Sequence, residues 1–201
     1  GIRYPSHSEV KNVWNSIIKP TLVLFLVCAV ITGALAYVNS VTENIILKRT
    51  EQEQEQFRKE VMVGADRFVK IDPEKLPGRI AGVYEAYSND TVIGYVFDVT
   101  TKGYGGEMKL TVGIDADGRV TGVIIGDNNE TPGLGSKAKE PGFTGQFKGV
   151  DATSTLSVVK QNKSSENEIQ AISGATITSR AVTEGVQAAL DSVRLIMNGG
   201  D

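Results

Sequence analysis

One cysteine, one histidine and one tryptophan are all that the chain holds of three chemically versatile residue types. Cys28 alone cannot close a disulfide, and Cys28 with His7 falls two ligands short of a tetrahedral zinc site. Nucleophiles of the catalytic-triad kind need an imidazole, and the lone one stands close to the start of the sequence, at His7. An excess of basic charge is missing as well: 21 Lys and Arg face 24 Asp and Glu, for a net charge of −3. Scattered along the chain, these charges lack the electrostatic footprint of a nucleic-acid binder. Glycine, by contrast, is abundant, at 22 of 201 residues, against roughly 7% in ordinary domains. Loops in which the backbone approaches something closely are therefore where a site is sought.

Charged residues are absent from 20–42, and the apolar centre 21–38 would be roughly 27 Å long as a helix at ~1.5 Å per residue. That length crosses a bilayer core with its flanks. A cleavable signal peptide is the rival reading, since Ala34, Leu35 and Ala36 have the small-x-small form of a cleavage site. The apolar run is longer than a usual signal core and favours an uncleaved anchor. Arg3, Lys11 and Lys19 precede the span and only Lys48 and Arg49 follow it closely. The positive-inside rule then puts the N-terminus in the cytoplasm and the rest outside the cytoplasmic membrane. Trp14 and Tyr37 bracket the span as interfacial anchors, and Cys28 reads as a small apolar residue within it. The chain accordingly divides into a cytoplasmic tail (1–19), a transmembrane helix (20–40), a membrane-proximal helix (41–75) and a soluble domain (76–201).

Between 41 and 71 the sequence is rich in Glu, Gln, Lys and Arg, and Phe57, Val61, Gly64 or Ala65, and Phe68 recur at helical spacing. Pro73, Pro77 and Gly78 end that helix. The period then changes to two. Met108, Leu110, Val112 and Ile114 alternate with polar or small residues, and turn residues at 88–90, 102–106 and 115–118 separate the strands. This pattern predicts an antiparallel meander of about four strands, at 83–87, 92–100, 107–114 and 120–125. Phe143 and Phe147 stand at helical spacing within 136–149, and 156–160 suits one more strand. Ala181, Val182, Val186, Ala189, Leu190, Val193 and Ile196 mark one face of a final helix that Gly199 and Gly200 stop. The fold class is α+β, a transmembrane helix followed by a domain with an antiparallel sheet and flanking helices.

Ser173, Thr176, Thr178 and Ser179, with Gly174 among them, lie just before that last helix, which the spacing starts near Thr178. Hydroxyls, free backbone N–H groups and the positive end of a helix dipole suit an anion such as phosphate. Thr178 or Ser179 acting as a plain N-cap accounts for part of the same pattern. Two further segments stand out: Glu130-Thr131-Pro132-Gly133-Leu134-Gly135, too dense in Gly and Pro for a regular element, and Gly103-Tyr104-Gly105-Gly106. The second also reads as a simple hairpin turn, and Glu130 can serve either its own loop or a ligand. Asp115 and Asp117 read as turn residues, and no acid–base role or metal site is assigned.

Ser173-Gly174-Ala175-Thr176, continued through Val182, resembles the flavinylation motif of the FMN-binding domain shared by two families, RnfG of the Rnf complex and NqrC of the sodium-pumping quinone reductase. The two other segments look like further signatures of that domain, in the same order, and the single N-terminal anchor fits it too. The resemblance covers nearly the whole chain and is closer to RnfG. It implies FMN joined through its phosphate to the Thr176 hydroxyl, with Ser173, Gly174, Ala175 and Thr178 around the attachment. Thr131, Pro132, Gly133, Leu134 and Gly135 would border the flavin, Leu134 as an apolar wall, with Tyr104 nearby and Lys160 at a basic family position. One position departs: where the family's flavin transferase meets Asp, six residues before the acceptor, this sequence has Gln170. The implied activity is electron relay within a redox-driven, ion-translocating ferredoxin:NAD oxidoreductase, not turnover by this chain alone. Implied partners are membrane subunits that hold flavin and iron–sulfur centres, and the transferase. The alternatives are an NqrC-type component of the quinone reductase, or an extracytoplasmic binding module in which Thr176 stays bare.

Overall fold

The computed structural model describes residues 17–73 and 76–199. The sequence readings of His7, Arg3, Lys11 and Trp14 lie outside these residues. The chain forms two compact units, Gly1–Gln52 and Glu53–Asp201, and the first helix, α1 (Lys19–Val61), runs from one into the other.

Within the first unit, Lys19–Ser40 is long and apolar enough to cross a membrane, and none of its apolar window is buried in protein. Two hydroxyls of α1 are satisfied inside the helix: Thr21 Oγ1 donates to Ile17 O at 2.7 Å and Thr42 Oγ1 to Val38 O at 2.8 Å. Such back-bonding gives each hydroxyl a partner within the helix itself.

The second unit is built on five strands, β1 (Arg67–Ile71), β2 (Ile80–Ser88), β3 (Thr91–Lys102), β4 (Glu107–Asp115) and β5 (Val120–Asn128). They follow one another in the sheet, each antiparallel to the next. Asn89 and Asp90 both have positive φ, 46° and 61°, in the two-residue loop between β2 and β3. That backbone matches the twist of a tight hairpin, and Asn and Asp tolerate it best after Gly. At the β4–β5 turn the Asp115 carboxylate accepts the N–H groups of Asp117 and Arg119, at 3.0 and 2.8 Å.

Alternation divides the sheet into two buried faces. Phe97 and Val99 on β3, with Leu110, Val112 and Ile114 on β4, meet Val182, Val186, Ala189, Leu190 and Val193 of the last helix, α3 (Thr176–Met197). Val96 and Ala86 face the other way, against Val61 and Met62 at the end of α1. There Arg58 pairs with Asp98 at 2.7 Å, its guanidinium 3.7 Å from the centroid of the Tyr84 ring.

Three expectations need correction. The membrane-proximal helix does not reach residue 75: it stops at Val61, the chain turns at Gly64 with φ 93°, and 67–71 form strand β1, so the meander has five strands. The stretch 136–149 is not one helix. It breaks into 3-10 turns at Gly135–Lys139 and Gly145–Phe147 around a single helical turn, α2 (Pro141–Thr144), with the Phe143 and Phe147 rings edge to face at 5.6 Å. The late strand exists as β6 (Ser157–Val159), but it pairs in parallel with β7 (Glu168–Gln170) in a separate two-stranded sheet.

Phe97→Ala removes a fully buried ring from the core and is expected to cost about 3–5 kcal/mol. Val63→Ala, at an 86% exposed position, should stay within about 0.5 kcal/mol of the parent. Urea unfolding of the detergent-solubilised chain, followed by circular dichroism, checks both.

Candidate functional site

The site begins at the first turn of α3. Gly174, with φ 77°, turns the chain into the helix, and the N-cap is Ala175, whose position has no side-chain cap. The first intrahelical bond runs from Ser179 N–H to Ala175 O at 3.0 Å. The N–H groups of Thr176, Ile177 and Thr178 precede it and have no intrahelical partner. No acidic residue stands in this turn. The helix thus starts two residues earlier than its apolar spacing predicts, and neither Thr178 nor Ser179 is the N-cap. Ser179 Oγ instead accepts the Ile172 N–H at 3.0 Å and donates to Ala175 O at 2.9 Å, tying the incoming segment to the helix.

Two loops close on that turn. After β5, Thr131 O accepts the N–H groups of Leu134 and Ser136, at 3.1 and 3.3 Å. Gly133, with φ 76°, gives its N–H to Ser136 Oγ at 2.9 Å. Between β3 and β4, the Gly103 N–H donates to Gly106 O at 2.8 Å. Glu130 joins all three segments. Only 7% exposed, its carboxylate accepts the Gly105 N–H at 3.0 Å through Oε1 and the Thr178 hydroxyl at 2.6 Å through Oε2.

These segments enclose a cavity of about 530 Å³, within the usual range for a bound cofactor, about 300–1,000 Å³. Of the residues singled out from the sequence, Tyr104, Thr131, Leu134, Gly135, Gly174, Ala175, Thr176 and Thr178 line it. Ser173, Pro132, Gly133 and Lys160 do not: Pro132 and Gly133 form the exposed tip of their loop, and Lys160 lies exposed just past β6. Glu130 and Ile177 line the cavity as well. The sequence motifs do not single out Ile177, although an apolar residue off the buried stripe of α3, beside the candidate acceptor, is a legible signal. Gln170 ends β7 with its backbone gripped by the Gln146 amide, which accepts its N–H at 2.8 Å and donates to its carbonyl at 3.1 Å.

The residues fit FMN. Tyr104, Ile177 and Leu134 are 71%, 55% and 43% exposed and offer apolar surface for a flat ring, while the uncapped turn offers N–H groups and a positive dipole end to a phosphate. A larger cleft, about 690 Å³, runs along the flank of α3 past Arg79 and Glu184, which pair at 2.8 Å; it holds none of the predicted site residues. No group of three or more His, Cys, Asp or Glu suited to a metal occurs among the described residues.

Residues 11–61 match the RnfG N-terminal region and residues 103–191 the FMN-binding domain. The chain is 41% identical over 191 residues to the G subunit of the Na(+)-translocating ferredoxin:NAD(+) oxidoreductase complex of Acetobacterium woodii, covering 89% of this chain and 92% of that one. It is 37% identical over 185 residues to the G subunit of the proton-translocating ferredoxin:NAD(+) oxidoreductase complex of Clostridium ljungdahlii, with 92% and 96% covered. Among solved structures, the C subunit of the Na(+)-translocating NADH-quinone reductase from Parabacteroides distasonis superposes with a TM-score of 0.51 at 26% identity, over 60% of this chain and 64% of that one, less than two thirds of its length. The fold, an α+β domain on an antiparallel sheet, is therefore shared between the two kinds of complex. With relatives of this identity and coverage, the chain belongs to the RnfG family, the G subunits of ion-translocating oxidoreductase complexes, and carries an FMN-binding domain.

Proposed function

We propose that this chain is the flavin-carrying, membrane-anchored subunit of an ion-translocating ferredoxin:NAD oxidoreductase, with FMN held through a phosphoester to Thr176. The observation that carries the reading is the position of Thr176, in the uncapped first turn of α3 and on the wall of a cavity shaped by two glycine-rich loops. Bound FMN supplies the capacity to accept and return electrons, and the protein supplies placement. Thr176 provides the oxygen of the ester, and the N–H groups of the first turn face the phosphate, where an anion is favoured by about 0.3–1 kcal/mol. Leu134, Ile177 and Tyr104 exclude water from the ring, and the backbone around Gly135 permits close approach. The chain is assigned no substrate chemistry of its own. Its electrons come from and go to cofactors of neighbouring subunits.

The same reading takes Lys19–Ser40 as a single transmembrane anchor with a cytoplasmic N-terminus and the flavin domain on the far side. A covalent tether suits that location, since a dissociable FMN would be lost from the cell. A flavin transferase is the implied partner in maturation, and Gln170 is the position at which its recognition of this chain differs from the family pattern.

Three outcomes are expected. The intact mass of the chain from its native host should exceed the sequence mass by one FMN less one water, on the peptide containing Thr176, and Thr176→Ala should abolish the increment while the chain still folds. Covalent flavin surviving in that variant would falsify the attachment site. Leu134→Ala should change the visible spectrum and midpoint potential of the bound flavin; identical values would remove Leu134 from the ring's wall. Protease added to cells with a permeabilised outer envelope should digest the flavin domain, and full protection would reverse the topology.

A further inference from the structure

Glu130 is the one acidic residue lining the cavity among the described residues, and it is buried there without a basic partner among the hydrogen bonds it makes. Both carboxylate oxygens act as acceptors, one for the Gly105 N–H and one for the Thr178 hydroxyl. Its surroundings are built around it. A Cβ on Gly103 would lie 2.2 Å from Oε1, and a Cβ on Gly135 would lie 2.2 Å from Oε2. Three segments distant in sequence thus leave room for, or donate to, a single carboxylate. A fold clasp alone would not require a charged group, because an amide of the same length reaches the same partners.

We propose that Glu130 is a positioning residue for the flavin and the fixed negative charge that lowers its midpoint potential. The inference rests on the reading of this cavity as the FMN site. Reduction adds electron density to the group in the cavity, and a buried carboxylate in the cavity's wall opposes that gain by Coulomb repulsion. Replacing the carboxylate by an uncharged group of equal reach relieves the repulsion and makes the flavin a stronger oxidant. Reach and charge are separable by substitution. In Glu130→Gln the side-chain oxygen still accepts the Gly105 N–H, and the new NH2 donates to the Thr178 hydroxyl, which can accept as well as donate. In Glu130→Asp the charge stays but the side chain is one methylene short of bridging both partners.

The test uses the full chain co-produced with a flavin transferase, as wild type, Glu130→Gln and Glu130→Asp, each checked for covalent flavin by mass. Spectroelectrochemical titration gives the midpoint potentials, and amide hydrogen exchange reads the loops. Glu130→Gln is expected to keep exchange at 103–106 and 130–135 near the wild-type level while its potential moves to a more positive value. Glu130→Asp is expected to speed exchange in both loops together. A flavin on Thr176 with the same potential in wild type and Glu130→Gln overturns the proposal and leaves the FMN reading intact. Loops unaffected by Glu130→Asp likewise overturn it, since the carboxylate would then position nothing. A wild-type chain without flavin overturns the FMN reading itself, and this inference with it.

Discussion

The packing of α3 across one face of the sheet fixes where its N-terminus lies, and the site depends on that placement. Gly185 lets the helix ride close: a Cβ there would come within 2.4 Å of Leu110 Cδ1 and 3.5 Å of Val99 Cγ1. Thr101, near the end of β3, gives its buried hydroxyl to Ala181 O at 3.0 Å, which pins the second turn of α3 to the strand that leads into the Gly103–Gly106 turn. The hydroxyls of Ser179, Thr183 and Ser192 return to carbonyls four residues back, so these buried positions stay small and still satisfied. Once α3 is seated, its first turn stands beside the exits of β3 and β5. A cavity at that corner follows from the topology and not from the loops alone.

The sheet is largely legible in the sequence because a half-buried strand writes its face into every second residue. Met108, Leu110, Val112 and Ile114 share one face in the structure as they do in the pattern. Strand β1 is not legible in that way, and the reason is physical. Phe57 and Val61 lie on the last turns of α1, and Phe68 lies on β1, yet Val61 and Phe68 pack in the same cluster against Ala86 and Val96. Helical spacing registers a shared burial without revealing that Gly64 has already turned the chain. Short elements at 135–147 mislead for a related cause: Phe143 and Phe147, four residues apart, bring their rings edge to face, while the backbone between them changes from helical to 3-10.

In the site, residues that meet a ligand through backbone or small side chains are easier to find from sequence than those that shape the wall. Gly174, Ala175, Thr176 and Thr178 sit where a helix N-terminus must put them, and Leu134 is carried inward by a turn whose tip is Pro132 and Gly133. That turn explains why neighbours in one motif divide between wall and surface. Lys160 illustrates the opposite limit. Its expected place beside the cavity rests on position in a family pattern, and a rise of roughly 3.3 Å per strand residue leaves a lysine at the end of a three-residue strand wherever that small sheet happens to point. Glu130 cannot be placed from sequence at all, since its two partners, Gly105 and Thr178, are 25 and 48 residues away.

The glycine excess finds its explanation at the same point. A composition rich in glycine says only that backbone approaches something, and flavin is the natural candidate once the motifs are recognised. At several positions, Gly94, Gly113 and Gly185 among them, the close approach is to the protein itself, and three more meet at this site. Gly103 and Gly135 make room for the Glu130 carboxylate, and a Cβ on Gly105 would lie 1.9 Å from Asn129 O, on the residue immediately before it. These glycines therefore let two loops collapse onto one another before any ligand is considered. A cavity whose walls are already joined in this way holds its shape without the cofactor, and ordering cost that would otherwise fall on binding is met during folding.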